Sequence, residues 1–145
     1  MANSTVRLER STPILQRAYI VIDDSVGLFL AERLASHVET IVVNADDKTA
    51  ASAERVDLET RQADVTDSRS LALAGLSDAE LVIVASESDA RNILVAQICR
   101  TTFGVTDIAV RLSDPRNANA FKDIDVETVC IASTLTDAIV TQLGI

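Results

Sequence analysis

The chain has 145 residues, 48% of them hydrophobic, enough for one domain with a substantial core. It carries 22 Asp and Glu against 13 Lys and Arg, and a net charge of −9 excludes the basic face that nucleic-acid binding requires. No apolar run approaches the roughly 18 residues of a membrane span, and residues 1–17 hold no stretch of signal-peptide length, so a cytoplasmic domain without direct membrane insertion is expected.

Lysine occurs only at Lys48 and Lys122, and arginine supplies the other basic groups. Excess carboxylate with scarce lysine resembles a surface adapted to high salt, where screening weakens self-repulsion. Thermal melts in dilute buffer and in molar KCl test this, and equal midpoints count against it. Cys99 and Cys130 lie in apolar segments and read as small buried hydrophobes in a reducing compartment.

Residues 1–17 are polar, broken at Thr12-Pro13 and net positive, and read as a flexible N-terminal arm. Residues 18–145 read as a single domain. Tyr19 to Ile22 forms a first strand buried on both faces, followed by a polar break and a helix from about Val26 to Ser36 with Leu30, Leu34 and Val38 on one stripe. His37 falls at its end and reads as a solvated residue favoured by the helix dipole. Thr40 to Val43 is the second strand. Asp46 and Asp47 cap a short helix to about Glu54, and Val56 to Gln62 fits an edge strand. A small helix at Ser68 to Ala74 stops at Gly75. Leu81 to Ala85 is the clearest buried strand, and Ser86 to Asp89 cap a long helix to about Phe103. Ile108 to Leu112 is the fifth strand, Asp114-Pro115 opens a helix to about Lys122, Val126 to Ile131 is a last strand and Thr134 to Leu143 a final helix. This alternation predicts an α/β fold: a Rossmann-like doubly wound parallel sheet, strand order 3-2-1-4-5-6, with helices on both faces and ligands at the strand carboxyl ends.

Between Asp89 and Phe103 the apolar residues cover most of the helix circumference. A one-faced surface helix shows a stripe instead. Either the helix is buried deeply in its own domain, or its second face packs on another subunit together with Phe121. The second alternative predicts a homodimer or larger ring through the 89–103 and 115–122 helices.

The stretch A-Y-I-V-I-D-D-S-V-G at Ala18 to Gly27 has the shape of a dinucleotide turn, strand to helix, normally spaced G-x-G-x-x-G. Only the third glycine stands, as Gly27; Ile22 and Asp24 occupy the first two positions. Asp23 and Asp24 put negative charge where a pyrophosphate would sit. At about 4 Å and an effective dielectric near 20 the repulsion is on the order of 4 kcal/mol. The pair reads as solvated or as a cation site such as Mg²⁺. Asn44 stands where an acidic residue usually accepts from the ribose hydroxyls, with Asp46 nearby. A-D-V-T-D at Ala63 to Asp67 lies where an adenine would, or is only an Asx turn capping the next helix. Ser86 is a cap or a ligand contact. Arg111, inside the fifth strand, needs either a carboxylate or a ligand phosphate. With one histidine, no nucleophile elbow, no zinc spacing and no P-loop, no catalytic or metal-binding constellation emerges, and an enzyme is not expected.

The order V-G before A-E-R-L, then A-D-V-T-D, A-G-L-S-D-A-E-L-V-I-V-A, a helix carrying Asn92, and R-L-S-D-P resembles an RCK domain, the family also called KTN or TrkA-N. The resemblance covers about Ala18 to Ile139 and is most specific from Ala63 to Arg116. It implies a regulatory domain of potassium channels and transporters, dimerising through the helices after the fourth and fifth strands, with NAD(H), ATP, ADP or similar nucleotides as ligands. Carried over by position, the ligand contacts are Ser25 and Gly27 in the turn, Asn44 after the second strand, Asp64 and Val65 near the base, and Ser86 and Arg111 nearer the phosphates. Two turn glycines are missing, Ser25 replaces a basic residue of many members, and Asn44 replaces an acid. The expectation is therefore a cytoplasmic, non-enzymatic regulator with nucleotide sensing weak or lost, partnered by a membrane potassium transporter or channel. The alternative is the regulatory front end of a phosphoesterase-type enzyme; an NAD-dependent oxidoreductase is disfavoured. Many members add a small C-terminal lobe, and the sequence ending at Ile145 leaves open whether it is a piece of a longer protein.

Overall fold

The structure, a computed structural model, describes residues 17–145, so the expected arm at 1–16 lies outside the described residues. Arg17, expected in that arm, opens the first strand. In chain order the elements are β1 (Arg17–Val21), α1 (Ser25–Leu34), β2 (Glu39–Asn44), α2 (Asp47–Arg55), β3 (Glu59–Gln62), α3 (Ser68–Leu73), β4 (Leu81–Val84), α4 (Asp89–Gln97), β5 (Asp107–Leu112), β6 (Glu127–Cys130) and α5 (Ile131–Leu143). The strands form one parallel sheet in the order β3-β2-β1-β4-β5-β6, the expected doubly wound arrangement.

The apolar runs explain the order. Ala18 to Val21 are all buried, because β1 lies between β2 and β4 and is covered on both faces. Tyr19 pairs with Ile41 on one side and Val82 on the other. Alternation then divides the core. Tyr19, Val21, Ile41, Val43, Val82 and Val84 meet Leu71, Val95, Cys99 and Phe121 on one face, and Ile20, Ile22 and Val42 meet Ala31, Ala53 and Leu58 on the other.

Several expected boundaries shift for local reasons. The edge strand is only Glu59–Gln62, because Val56 closes α2 and Asp57 turns the chain at φ 61°. The last strand is Glu127–Cys130, and α5 starts at once from Cys130 as N-cap, earlier than Thr134. The long helix after β4 is α-helical to Gln97 and widens into a π turn at Ile98–Thr102. The expected helix at 115–122 is a 3₁₀ segment, Pro115–Phe121. Phe121, expected on an association surface, is instead buried in the main core. The apolar sleeve at 89–103 is also largely consumed at home: Val95, Ala96 and Cys99 are fully buried, and Ile93, Ile98 and Phe103 pack against the core. Leu94 remains exposed. The larger uncovered apolar row is on α5, where Leu135, Ile139, Val140 and Leu143 are exposed and nothing is buried. Among the described residues no helix is long and apolar enough to cross a membrane.

Candidate ligand crevice at the strand ends

The carboxyl ends of β1, β4 and β5 meet where the strand order reverses, the usual crevice of an open α/β sheet. The turn after β1 runs from Ile22, which is buried, to Gly27 in the first turn of α1. A Cβ on Gly27 would stand 2.7 Å from both Cβ and Cγ2 of Ile22 and 3.3 Å from the Ala85 carbonyl oxygen. The surviving glycine is therefore the one needed for close packing of helix on strand.

Asp24 is the N-cap of α1, and its Oδ1 accepts from the Gly27 N–H at 2.8 Å. The same carboxylate takes Nη1 of Arg111, at 3.1 Å to each oxygen, and Nη1 also donates to the Ala85 carbonyl at 3.2 Å. The two side chains are only 12% and 21% exposed, so this is a largely desolvated ion pair. Asp23 turns the other way: Oδ1 accepts from Glu87 N–H at 2.9 Å, and Oδ2 lies 3.4 Å from Arg91 Nη1. The aspartates are thus not a solvated pair, and both carboxylates are engaged by protein donors. Asp23 is satisfied by Glu87 after β4 and by Arg91 on α4, Asp24 by Gly27 on α1 and by Arg111 within β5, and the expected repulsion toward a phosphate is offset by Arg111 and Arg91. No group of three or more His, Cys, Asp or Glu among the described residues is arranged to hold a metal ion.

The remaining candidate residues divide. Ser25 is exposed and lines a cleft of 570 Å³ between α1 and α2, with Asp46, Lys48 and Ser52 on the far wall. Asn44 is fully buried; its Nδ2 donates to Thr60 Oγ1 at 3.0 Å, and its Oδ1 has no partner. Asp64 closes an Asx turn, Oδ1 accepting from Thr66 N–H (3.0 Å) and Oγ1 (2.7 Å), and these bonds hold its carboxyl below the usual range. It borders a second groove, of 480 Å³, with Ala45, Gln62 and Ser70. The Val65 side chain points into the main core, leaving only its backbone for any base. Ser86 is buried; its Oγ donates to Asn92 Oδ1 at 2.7 Å, while Asn92 Nδ2 donates to the carbonyls of Ser86 and Arg111. Ser86 is thus a joint between β4, α4 and β5, and the cap of α4 is Ser88.

Sequence reasoning missed two residues. Arg91, in the first turn of α4, reaches Asp23 and also acts on the Asp64 charge, so it faces the crevice between two turns. Asp89 clamps the loop after β5, accepting from Ser113 N–H (2.8 Å), Asp114 N–H (2.9 Å) and Asn117 Nδ2 (2.9 Å). The only sequence signal for Asp89 was its place in a capping run.

The crevice, the turn and the parallel order define a nucleotide-fold domain of Rossmann type. A family model described as the TrkA-N domain matches residues 20–132, and the chain belongs to that family. Among curated relatives, the Trk system potassium uptake protein TrkA of Streptomyces coelicolor is 30% identical over 122 residues, covering 81% of this chain and 54% of that one. The chain spans about half the length of the curated relatives it matches. Among solved structures, the TrkA-N domain of the Escherichia coli inner membrane protein ybaL superposes with a TM-score of 0.78 at 16% identity, over 91% of this chain and 99% of that one. The GsuK channel bound to NAD superposes at 0.74 and 22% identity, over 88% of this chain and 23% of that one. These likenesses establish the fold.

Proposed function

We propose that this chain is a non-enzymatic regulatory domain of a potassium transport system, acting on the cytoplasmic side of a membrane transporter or channel, with its nucleotide sensing weak or lost. Family membership and the name of the Streptomyces relative support the transport role. One observation carries the loss of sensing: the turn that should admit a pyrophosphate has side chains at its first two glycine positions, and the Asp24 carboxylate occupies both the α1 N-terminus and Arg111. The exposed apolar row on α5, with Leu94 on α4, supports association into a homodimer or larger ring.

Calorimetric titration with NADH, ATP, ADP and AMP tests the sensing. No binding below millimolar concentration is expected, and a micromolar dissociation constant for any of them refutes it. Light scattering at micromolar protein should report at least a dimer, and a monomeric mass refutes the assembly. Rubidium uptake by source cells with and without the chain tests the transport role; equal uptake over a range of potassium concentrations refutes it.

A further inference from the structure

The two glycine positions that the turn has lost are not simply blocked. Ile22 fills the space beneath α1 against Gly27, and Asp24 takes an extended backbone (φ −143°, ψ 177°) from which its carboxylate reaches the helix N-terminus and Arg111 together. A pyrophosphate at such a turn draws on helix N–H groups and, where one is present, a guanidinium. Both are held here by a group of the same sign of charge as a phosphate oxygen, 87 residues from Arg111 along the chain. Asp23, at the adjoining position, ties the same turn to Glu87 and Arg91. The fit of Asp24 to Arg111 is also incomplete. The carboxylate meets the guanidinium through Nη1 alone, and Nε is buried with no partner. A two-nitrogen fork would use more of the guanidinium, as a phosphate with three free oxygens can.

We propose that the Asp24 carboxylate is a tethered replacement for ligand phosphate, a permanent clasp between the first turn and β5 that holds the switch point closed with no ligand bound. The inference rests on the reading that nucleotide sensing is weak or lost, and explains how the fold keeps a tied crevice without it. A free phosphate bridging α1 and β5 loses translational freedom each time it binds, whereas a side chain already in the chain does not. A domain clasped in this way transmits no ligand signal of its own, yet stays rigid enough to pack in an assembly. Removing the carboxylate leaves the Gly27 N–H and Arg111 without their anion, and a phosphate then has donors to bind.

The test is calorimetry on the full chain with ADP and inorganic pyrophosphate, for wild type, Asp24→Gly, Asp24→Ser and the double variant Asp24→Gly/Arg111→Met, with circular dichroism to confirm folding. Serine keeps an N-cap oxygen, so Asp24→Ser decides the matter where the glycine variant does not fold. Both single variants are expected to bind ADP at least tenfold more tightly than wild type, pyrophosphate following the same order, and the double variant to lose the gain. Amide exchange at Gly27, whose N–H loses its cap only in Asp24→Gly, should be at least tenfold faster in that ligand-free variant than in wild type and should slow again on adding ADP. A folded Asp24→Ser chain that binds ADP no better than wild type overturns the clasp, and with a silent wild type the sensing reading still stands. A wild type that binds ADP at micromolar concentration overturns the sensing reading instead, and tighter binding still by Asp24→Ser then supports the clasp on its own.

Discussion

Replacing Arg111 by methionine keeps most of the apolar stem and removes the charge that faces Asp24. At 3.1 Å and an effective dielectric near 20 the attraction is about 5 kcal/mol, part of which only offsets the cost of desolvating both groups. Breaking a fully buried pair from one side costs about 3–5 kcal/mol; with 12% and 21% exposure here, about 2–3 kcal/mol is expected. At about 3 °C per kcal/mol for a domain of this size, the melting midpoint should fall by roughly 6–9 °C. The pair is isolated by a double-mutant cycle with Asp24→Asn, which keeps an Oδ1 to accept from Gly27 and removes the charge together with the second acceptor facing Arg111. Urea unfolding of the four proteins should give a coupling of at least about 1.5 kcal/mol, most of it retained in molar KCl, because the pair is shielded from ions. A coupling below about 0.5 kcal/mol, the range of exposed pairs, refutes the description of Asp24 and Arg111 as a desolvated unit.

Gly27→Ala places a methyl group 2.7 Å from the Ile22 side chain, so overpacking should cost about 1–3 kcal/mol in urea unfolding, and a cost under about 0.5 kcal/mol would show that α1 lifts freely from β1. Burial alone would push the Asp89 carboxyl up, but the hydrogen bonds from Ser113, Asn117 and Asp114 together outweigh it and hold the group below its ordinary value. That depressed pKa contributes stability that is fully present above the unfolded value near 4 and is lost as pH falls through the folded value. Asp89→Asn should therefore cost about 2 kcal/mol at pH 7, with the two melting midpoints converging below about pH 4; a constant gap across that window refutes the assignment. Burial pushes the Cys99 thiol up to about 12, whereas hydrogen bonds from Ser133 hold the Cys130 thiol below its usual value. A disulfide exchange reagent at pH 8 should modify one thiol quickly, located at Cys130 by peptide mass, and the second only on unfolding; equal rates at both refute the placement.

Strand order was legible because burial and sequence carry the same pattern. A strand covered on both faces cannot hide its composition, and Tyr19 to Ile22 and Leu81 to Ala85 lie at or beside the centre of the sheet for that reason. Periodicity left a choice open where apolar content had two uses. The crowded helix after Asp89 suggested a second face for a partner, but Val95, Ala96 and Cys99 are buried under the sheet and Ile93, Ile98 and Phe103 pack on the same core, while Phe121 turns inward from a 3₁₀ segment rather than outward from a helix. Apolar content alone does not say how much of a crowded helix its own core will consume, and a segment as short as Pro115–Phe121 is too brief for spacing to separate 3₁₀ from α. Conversely α5, whose apolar residues drew no comment in the sequence, is the helix with nothing buried.

The crevice was legible as a place and not as a set of partners, and the difference is one of distance along the chain. The turn, Asn44, the Asx turn and the Ser86 loop could each be located by local signals. Three sequence-distant pairings then decide what they do: Asp24 with Arg111, Asp23 with Glu87 and Arg91, and Asp89 with the loop after β5. Taken alone, two adjacent aspartates in a phosphate turn mean repulsion and an eroded site. With Arg111 delivered beneath them by β5, one of the same aspartates becomes an acceptor that neutralises a half-buried cation and completes a helix cap. The charges that made nucleotide binding improbable from sequence therefore become, in the fold, reasons for the turn to keep its shape. That is why an unpaired Arg111, as in an Asp24→Ser chain, is the state in which any phosphate-binding capacity of the turn should become visible.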